Sequence, residues 1–120
     1  MSRKHEINKY LVLDAEDSTT DPESVQTDVS QVDKIAYDIT VAAGVIGSLE
    51  VKYCNDRLIT NQSVFNSLDF GVPLTINGGS DTIYRLEIEN ESFKWMKIKF
   101  TDNSGTGNIT ASITGTTVGA

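Results

Sequence analysis

The sequence predicts an all-β domain: an antiparallel β-sandwich of jelly-roll or immunoglobulin-like type, with about seven or eight strands. Three observations predict it. Apolar and polar side chains alternate along several runs, the period of a strand with one buried face. Clusters of Gly, Asn, Asp and Ser separate those runs at intervals of roughly ten to fifteen residues. No run keeps helical spacing over a helix-length window.

Taken in order, the chain opens with a polar, basic stretch containing Arg3, Lys4 and Lys9. A short apolar run from Tyr10 to Asp14 could form a strand. Residues 15–24 contain turn formers and Pro22 and read as loop. Residues 25–32 alternate weakly and suggest a strand or an extended connection. Together, residues 1–32 are expected to form an extended polar N-terminal arm and acidic segment, with residues 33–120 as the sandwich body.

The body begins with KIAYDITV, which puts Ile35, Tyr37, Ile39 and Val41 on one face. Gly44 and Gly47 mark a turn. SLEVKYCN then sets Leu49, Val51 and Tyr53 inward, with Glu50, Lys52 and Cys54 outward. Residues 55–71 are ambiguous between a short strand, one helical turn and neither. Val72, Leu74 and Ile76 suggest another strand, and NGGSD a turn. TIYRLEIEN sets Tyr84, Leu86 and Ile88 inward. The final stretch, FKWMKIKFTDNSGTGNITASITG, places two alternating runs around a loop with two glycines, which reads as a β-hairpin. Met96, Ile98 and Phe100 face the core there, opposite Trp95, Lys97 and Lys99. Ile109, Ala111 and Ile113 continue the core row.

At 120 residues the chain has the length of one domain. A globule of that length buries roughly two thirds of its unfolded surface, enough for a core without staples. Cys54 is the only cysteine, so no internal disulfide forms. That suits a reducing compartment, and synthesis in a cytoplasm is expected. No apolar run approaches the length of a secretory signal or a membrane-spanning helix, so no membrane partner is expected.

The net charge of −7 is uneven: +2 over residues 1–9, −7 over 10–33 and −2 over 34–120. A nearly neutral body with an acidic segment offers no cationic face for phosphates, which argues against nucleic acid as a partner. The acidic segment is either a solubilising loop or meets a basic surface on a partner.

Candidate chemistry is sparse. The only histidine, His5, lies in the basic arm, where nothing positions it as a general base. Glu87 and Glu89 share a strand face, as a glycosidase pair could, but read better as a solvated face opposite lysines. The acids at 14–21 miss the EF-hand spacing, and one Cys with one His cannot build a zinc site. A calcium site of another kind at 14–21 stays open. The SGTGN loop is flanked by strands on both sides, so its glycines serve turn geometry rather than phosphate binding. No cofactor is expected, and the chain reads as non-enzymatic. Trp95 is either a partner anchor on the outer face or a residue covered by the 55–71 loop.

The terminal run, with its aromatic strand, Ser-Gly-Thr-Gly turn and last strand, resembles the C-terminal signature of small virion proteins of tailed bacteriophages. KIAYDITV followed by a glycine turn and SLEVKYCND is similar to their upstream order. The resemblance covers about residues 33–115. It implies a non-enzymatic virion structural protein, a capsid decoration or head-associated component, present as a homo-oligomer. Its partners would be other copies of itself and a capsid or tail protein. Arg3, Lys4 and Lys9 in the arm, with Trp95, Lys97 and Lys99 on the outer face, are the expected partner-binding residues. The alternative is a carbohydrate- or receptor-binding sandwich module, which would need an exposed aromatic, such as Trp95, beside Asn and Asp in a groove.

Overall fold

The computed structural model describes residues 6–60, 62–67, 74–79, 82–90 and 93–117. They form nine strands: β1 (Glu6–Asp17), β2 (Thr27–Asp28), β3 (Lys34–Val41), β4 (Ile46–Cys54), β5 (Asn66–Ser67), β6 (Leu74–Asn77), β7 (Thr82–Glu89), β8 (Trp95–Ser104) and β9 (Asn108–Thr116). A short 3-10 turn, Ser18–Thr20, follows β1. The strands build two antiparallel sheets. One has the order β1-β9-β3-β7; the other has the order β2-β8-β4-β5, with β6 also on β4.

β5 and β6 lie on one edge of β4. Asn66 and Ser67 pair with Tyr53 and Lys52, and Leu74 to Asn77 pair with Leu49 to Ile46. They are two pieces of one edge strand, separated by residues 68–73. Counting them as one position, the order is 1-8-3-6 against 2-7-4-5, a jelly roll of two interlocked Greek keys. Of the two sandwich types expected, the strand order selects this one.

The alternation places the core where the sequence put it. Tyr37, Ile39, Met96, Ile98, Phe100, Ile109 and Ile113 are all fully buried between the sheets. Close packing there leaves no room for a side chain at Gly47, where a Cβ would run into the Thr101 carbonyl and the Phe100 ring.

Three expectations are corrected. First, β8 and β9 are not a hairpin. β8 lies between β2 and β4 in one sheet, and β9 lies between β1 and β3 in the other. Both edges of each strand are taken, so neither can pair with its sequence neighbour. The connection crosses between sheets at residues 105–107, where Gly105 has φ +84° and a Cβ would strike the Gly44 carbonyl. Alternation reports which face is buried, not which strand lies alongside.

Second, residues 6–32 do not form an arm apart from the body. β1 runs beside β9 from Glu6↔Thr116 to Asp17↔Asn108, with three register shifts. Val12, Leu13, Val29 and Val32 belong to the core. Tyr10 donates to or accepts from Thr27 Oγ1 at 2.7 Å, which links β1 in one sheet to β2 in the other. The many polar residues masked a strand whose apolar side chains are few but buried. Third, Cys54 keeps its outward row but is 3% exposed. The chain turns back over that face at Asn55, whose Oδ1 accepts from the Lys94 amide, and at Asp56.

Candidate functional site

The outer row of β8 is the first place to look, because the sequence singled it out. Trp95, Lys97 and Lys99 alternate with buried Met96, Ile98 and Phe100, so they must face outward. On one side they lie opposite Cys54, Lys52 and Glu50 of β4. On the other side lies the acidic segment, with Asp28 opposite Trp95 and Glu23 opposite Lys99.

That segment meets its basic surface within the chain. Lys94 Nζ is 3.0 Å from Asp28 Oδ2, and Lys97 Nζ is 3.5 Å from Glu23 Oε2. Burial acts most strongly on Asp28 and pushes its carboxyl upward, but hydrogen bonds from Ser30 and the Lys94 ammonium together outweigh it. The net effect is a lowered pKa. Asp21 Oδ1 accepts from the Asp102 amide at 2.7 Å.

The 55–67 loop covers the same face. Phe65 lies 4.3 Å from Lys97 Nζ, a cation–π contact. The Trp95 indole N–H donates to the Asp56 carbonyl at 3.0 Å. Trp95 is thus half-buried under the loop, one of its two expected placements, and its polar handle is taken. Lys97 and Lys99 are half-buried as well.

The described members of the expected partner-binding set do not all converge. Lys9 is exposed on β1, on the other sheet, where it lines a shallow depression with Tyr10, Leu11, Asp38 and Thr110. Arg3 and Lys4 lie outside the described residues.

A second depression, of about 390 Å³, lies on the outer face of the β1-β9-β3-β7 sheet. Lys34, Arg85, Glu87, Glu89, Thr114 and Thr116 contribute to its lining. Arg85 bonds Asp38 Oδ1 at 2.7 Å through Nη1 and Glu87 Oε1 at 2.9 Å through Nε. The bonds to Glu87 and then to Asp38 raise the Arg85 pKa further above its already high value. Glu87 is therefore an ion-pair partner on an exposed face, but the lysines expected opposite the acidic pair, Lys97 or Lys99, lie on the other sheet; β7 pairs with β3, where Glu89 lies opposite Lys34. Sequence reasoning did not single out Arg85. The signal available was its position in the outward row beside Glu87. Among the described residues, no group of three or more His, Cys, Asp or Glu side chains could hold a metal ion. No described helix is long and apolar enough to cross a membrane.

No protein-family profile matches the chain, and no curated protein matches it. Among solved structures, it is similar to the SPBc2 prophage-derived protein YomS. The TM-score is 0.53 at 12% identity, over 95% of this chain and 96% of that one. At that identity the likeness is one of fold.

Proposed function

We propose that this chain is a non-enzymatic structural protein of a bacteriophage particle, a capsid-decoration or head-associated component that docks non-covalently on neighbouring subunits. The observation that carries the reading is the likeness in fold, over nearly the whole length of both chains, to a prophage-derived protein. The terminal strand-turn-strand pattern supports it independently, through its resemblance to small virion proteins. The depressions on the outer face of the β1-β9-β3-β7 sheet are shallow and have a mixed lining, with Tyr10 and Leu11 beside threonines and charged side chains, which suits flat docking on another protein. The glycan-binding reading is weakened by Trp95, whose indole N–H is taken by Asp56 and whose ring is half covered.

The test is mass spectrometry of density-gradient-purified particles from a strain carrying the coding sequence. The expected result is this chain in the particle fraction, at a copy number comparable with a major structural protein. Its absence from intact particles would overturn the proposal.

A further inference from the structure

A sheet edge that is long, regular and unpaired is a template for another strand, and natural β proteins blunt such edges with bulges, breaks or short strands. Three edges here are blunted. β1 carries three register shifts. β2 has two residues. Among the described residues the β5/β6 edge consists of two short pieces, of two and four residues. β7 is different: all eight residues pair with β3 without a register shift, from Val41↔Thr82 to Lys34↔Glu89. No Pro or Gly interrupts it. Among the described residues nothing pairs with its other edge. Its core-facing Tyr84 and Leu86 are only partly covered, and Ile83 is 77% exposed.

The side chains of β7 identify the strand that fits. An antiparallel partner must keep core row against core row, because a one-residue slip swaps the faces. Set a second β7 against the first, with Leu86 on the two-fold axis. Arg85 then lies opposite Glu87 of the second copy, twice by symmetry. Tyr84 meets Ile88, and Leu86 meets Leu86. A two-residue slip one way sets Arg85 against Arg85; a slip the other way pairs Arg85 with Glu89 but sets Glu87 against Glu87, so within residues 82–89 only the Leu86-centred register has opposite-charge pairs and no like-charge pair. Within the chain Arg85 uses Nε on Glu87 and Nη1 on Asp38, so Nη2 has donors for a third carboxylate. Glu87 is 74% exposed and within reach.

We infer that β7 is a homotypic docking edge, through which two copies of this chain join across a two-fold axis into one continuous eight-stranded sheet. This isologous contact names one partner within the assembly reading above. The two stand or fall by separate measurements: loss of the dimer leaves particle association intact, and absence from particles leaves the dimer intact.

The experiment is light scattering on the full chain after size-exclusion chromatography. The expected mass is twice the 13.1 kDa of one chain. Arg85→Glu and Glu87→Arg each put like charges across the axis and are expected to weaken the dimer about tenfold or more, whereas the double exchange restores opposite pairs and recovers it. Circular dichroism checks that each variant is folded. A readout that needs no variant is amide hydrogen exchange, where protection across residues 82–89 should rise with concentration. A monomer at every concentration, or an oligomer whose mass neither charge reversal changes, would overturn the inference.

Discussion

Asn90 holds two connections together with one amide. Its Nδ2 donates to the Val29 carbonyl at 2.6 Å, the Val32 carbonyl at 3.1 Å and the Phe93 carbonyl at 3.2 Å. Its Oδ1 accepts from the Phe93 amide at 2.7 Å. The bonds join the β2–β3 connection to the β7–β8 connection, each of which crosses from one sheet to the other. Asn90→Ala strands those groups and is expected to cost about 2–4 kcal/mol in urea unfolding. Asn90→Asp should be worse at neutral pH, because a carboxylate faces carbonyls with no proton to give. The deficit should narrow on acidification, when the carboxyl regains a donor. The opposite sign is expected at Tyr37. It is fully buried, and its hydroxyl has no partner among the described residues. Burial, and then Tyr10, raise its pKa, so the hydroxyl stays neutral yet unsatisfied. Tyr37→Phe removes that desolvated group and should raise stability by about 1 kcal/mol in the same assay.

Among the elements, the 18–33 segment is held to β8 through charge as well as backbone bonds. Ser24 Oγ accepts from the Ile98 amide at 2.9 Å, and the Phe100 amide donates to the Pro22 carbonyl at 2.9 Å. Asp28 adds the pH-sensitive part. Its folded pKa lies below the ordinary aspartate value, so the stability it contributes is present above about pH 4 and is lost as pH falls through the lowered value. Asp28→Asn should flatten the acid limb of a stability–pH curve and leave the alkaline limb unmoved; a parallel acid limb would refute the assignment. This segment also shows where the sequence was legible. Rows such as Ile35-Tyr37-Ile39-Val41 and Met96-Ile98-Phe100 announced their buried face, because a period of two is local. The acidic residues at 10–33 announced a search for basic partners. That the partners were Lys94 and Lys97 of the same chain, and that β8 runs beside β2 and β4 instead of β9, depends on contacts far apart in sequence. The half-burial of Trp95 likewise depends on where the 55–67 loop lies. That β7 has no second partner among the described residues was hidden for the same reason: a strand's position in its sheet leaves no mark on its own alternation.

At the scale of the whole molecule, the question is whether residues 1–32 can be separated from the rest. The jelly-roll order says they cannot. β1 covers the outer edge of β9, and β2 covers the outer edge of β8, so removing both exposes one edge of each sheet. Val12, Leu13, Val29 and Val32 leave the core with them. At about 1.5–3 kcal/mol for each buried side chain, the loss is roughly 6–12 kcal/mol. That rivals the entire stability of a typical domain, about 5–15 kcal/mol. A chain beginning at Asp33 is therefore expected to lose its cooperative thermal transition and its dispersed amide NMR spectrum. Deleting only residues 2–5 removes Arg3 and Lys4 but none of these contacts, and should leave the melting temperature within a few degrees of the full chain. The short deletion is thus the one that can probe docking by the basic residues at the start of the chain, since any loss of particle association it causes cannot be traced to unfolding. A stable, dispersed 33–120 fragment would restore the division into arm and body and remove β1 from the list of elements the sandwich requires.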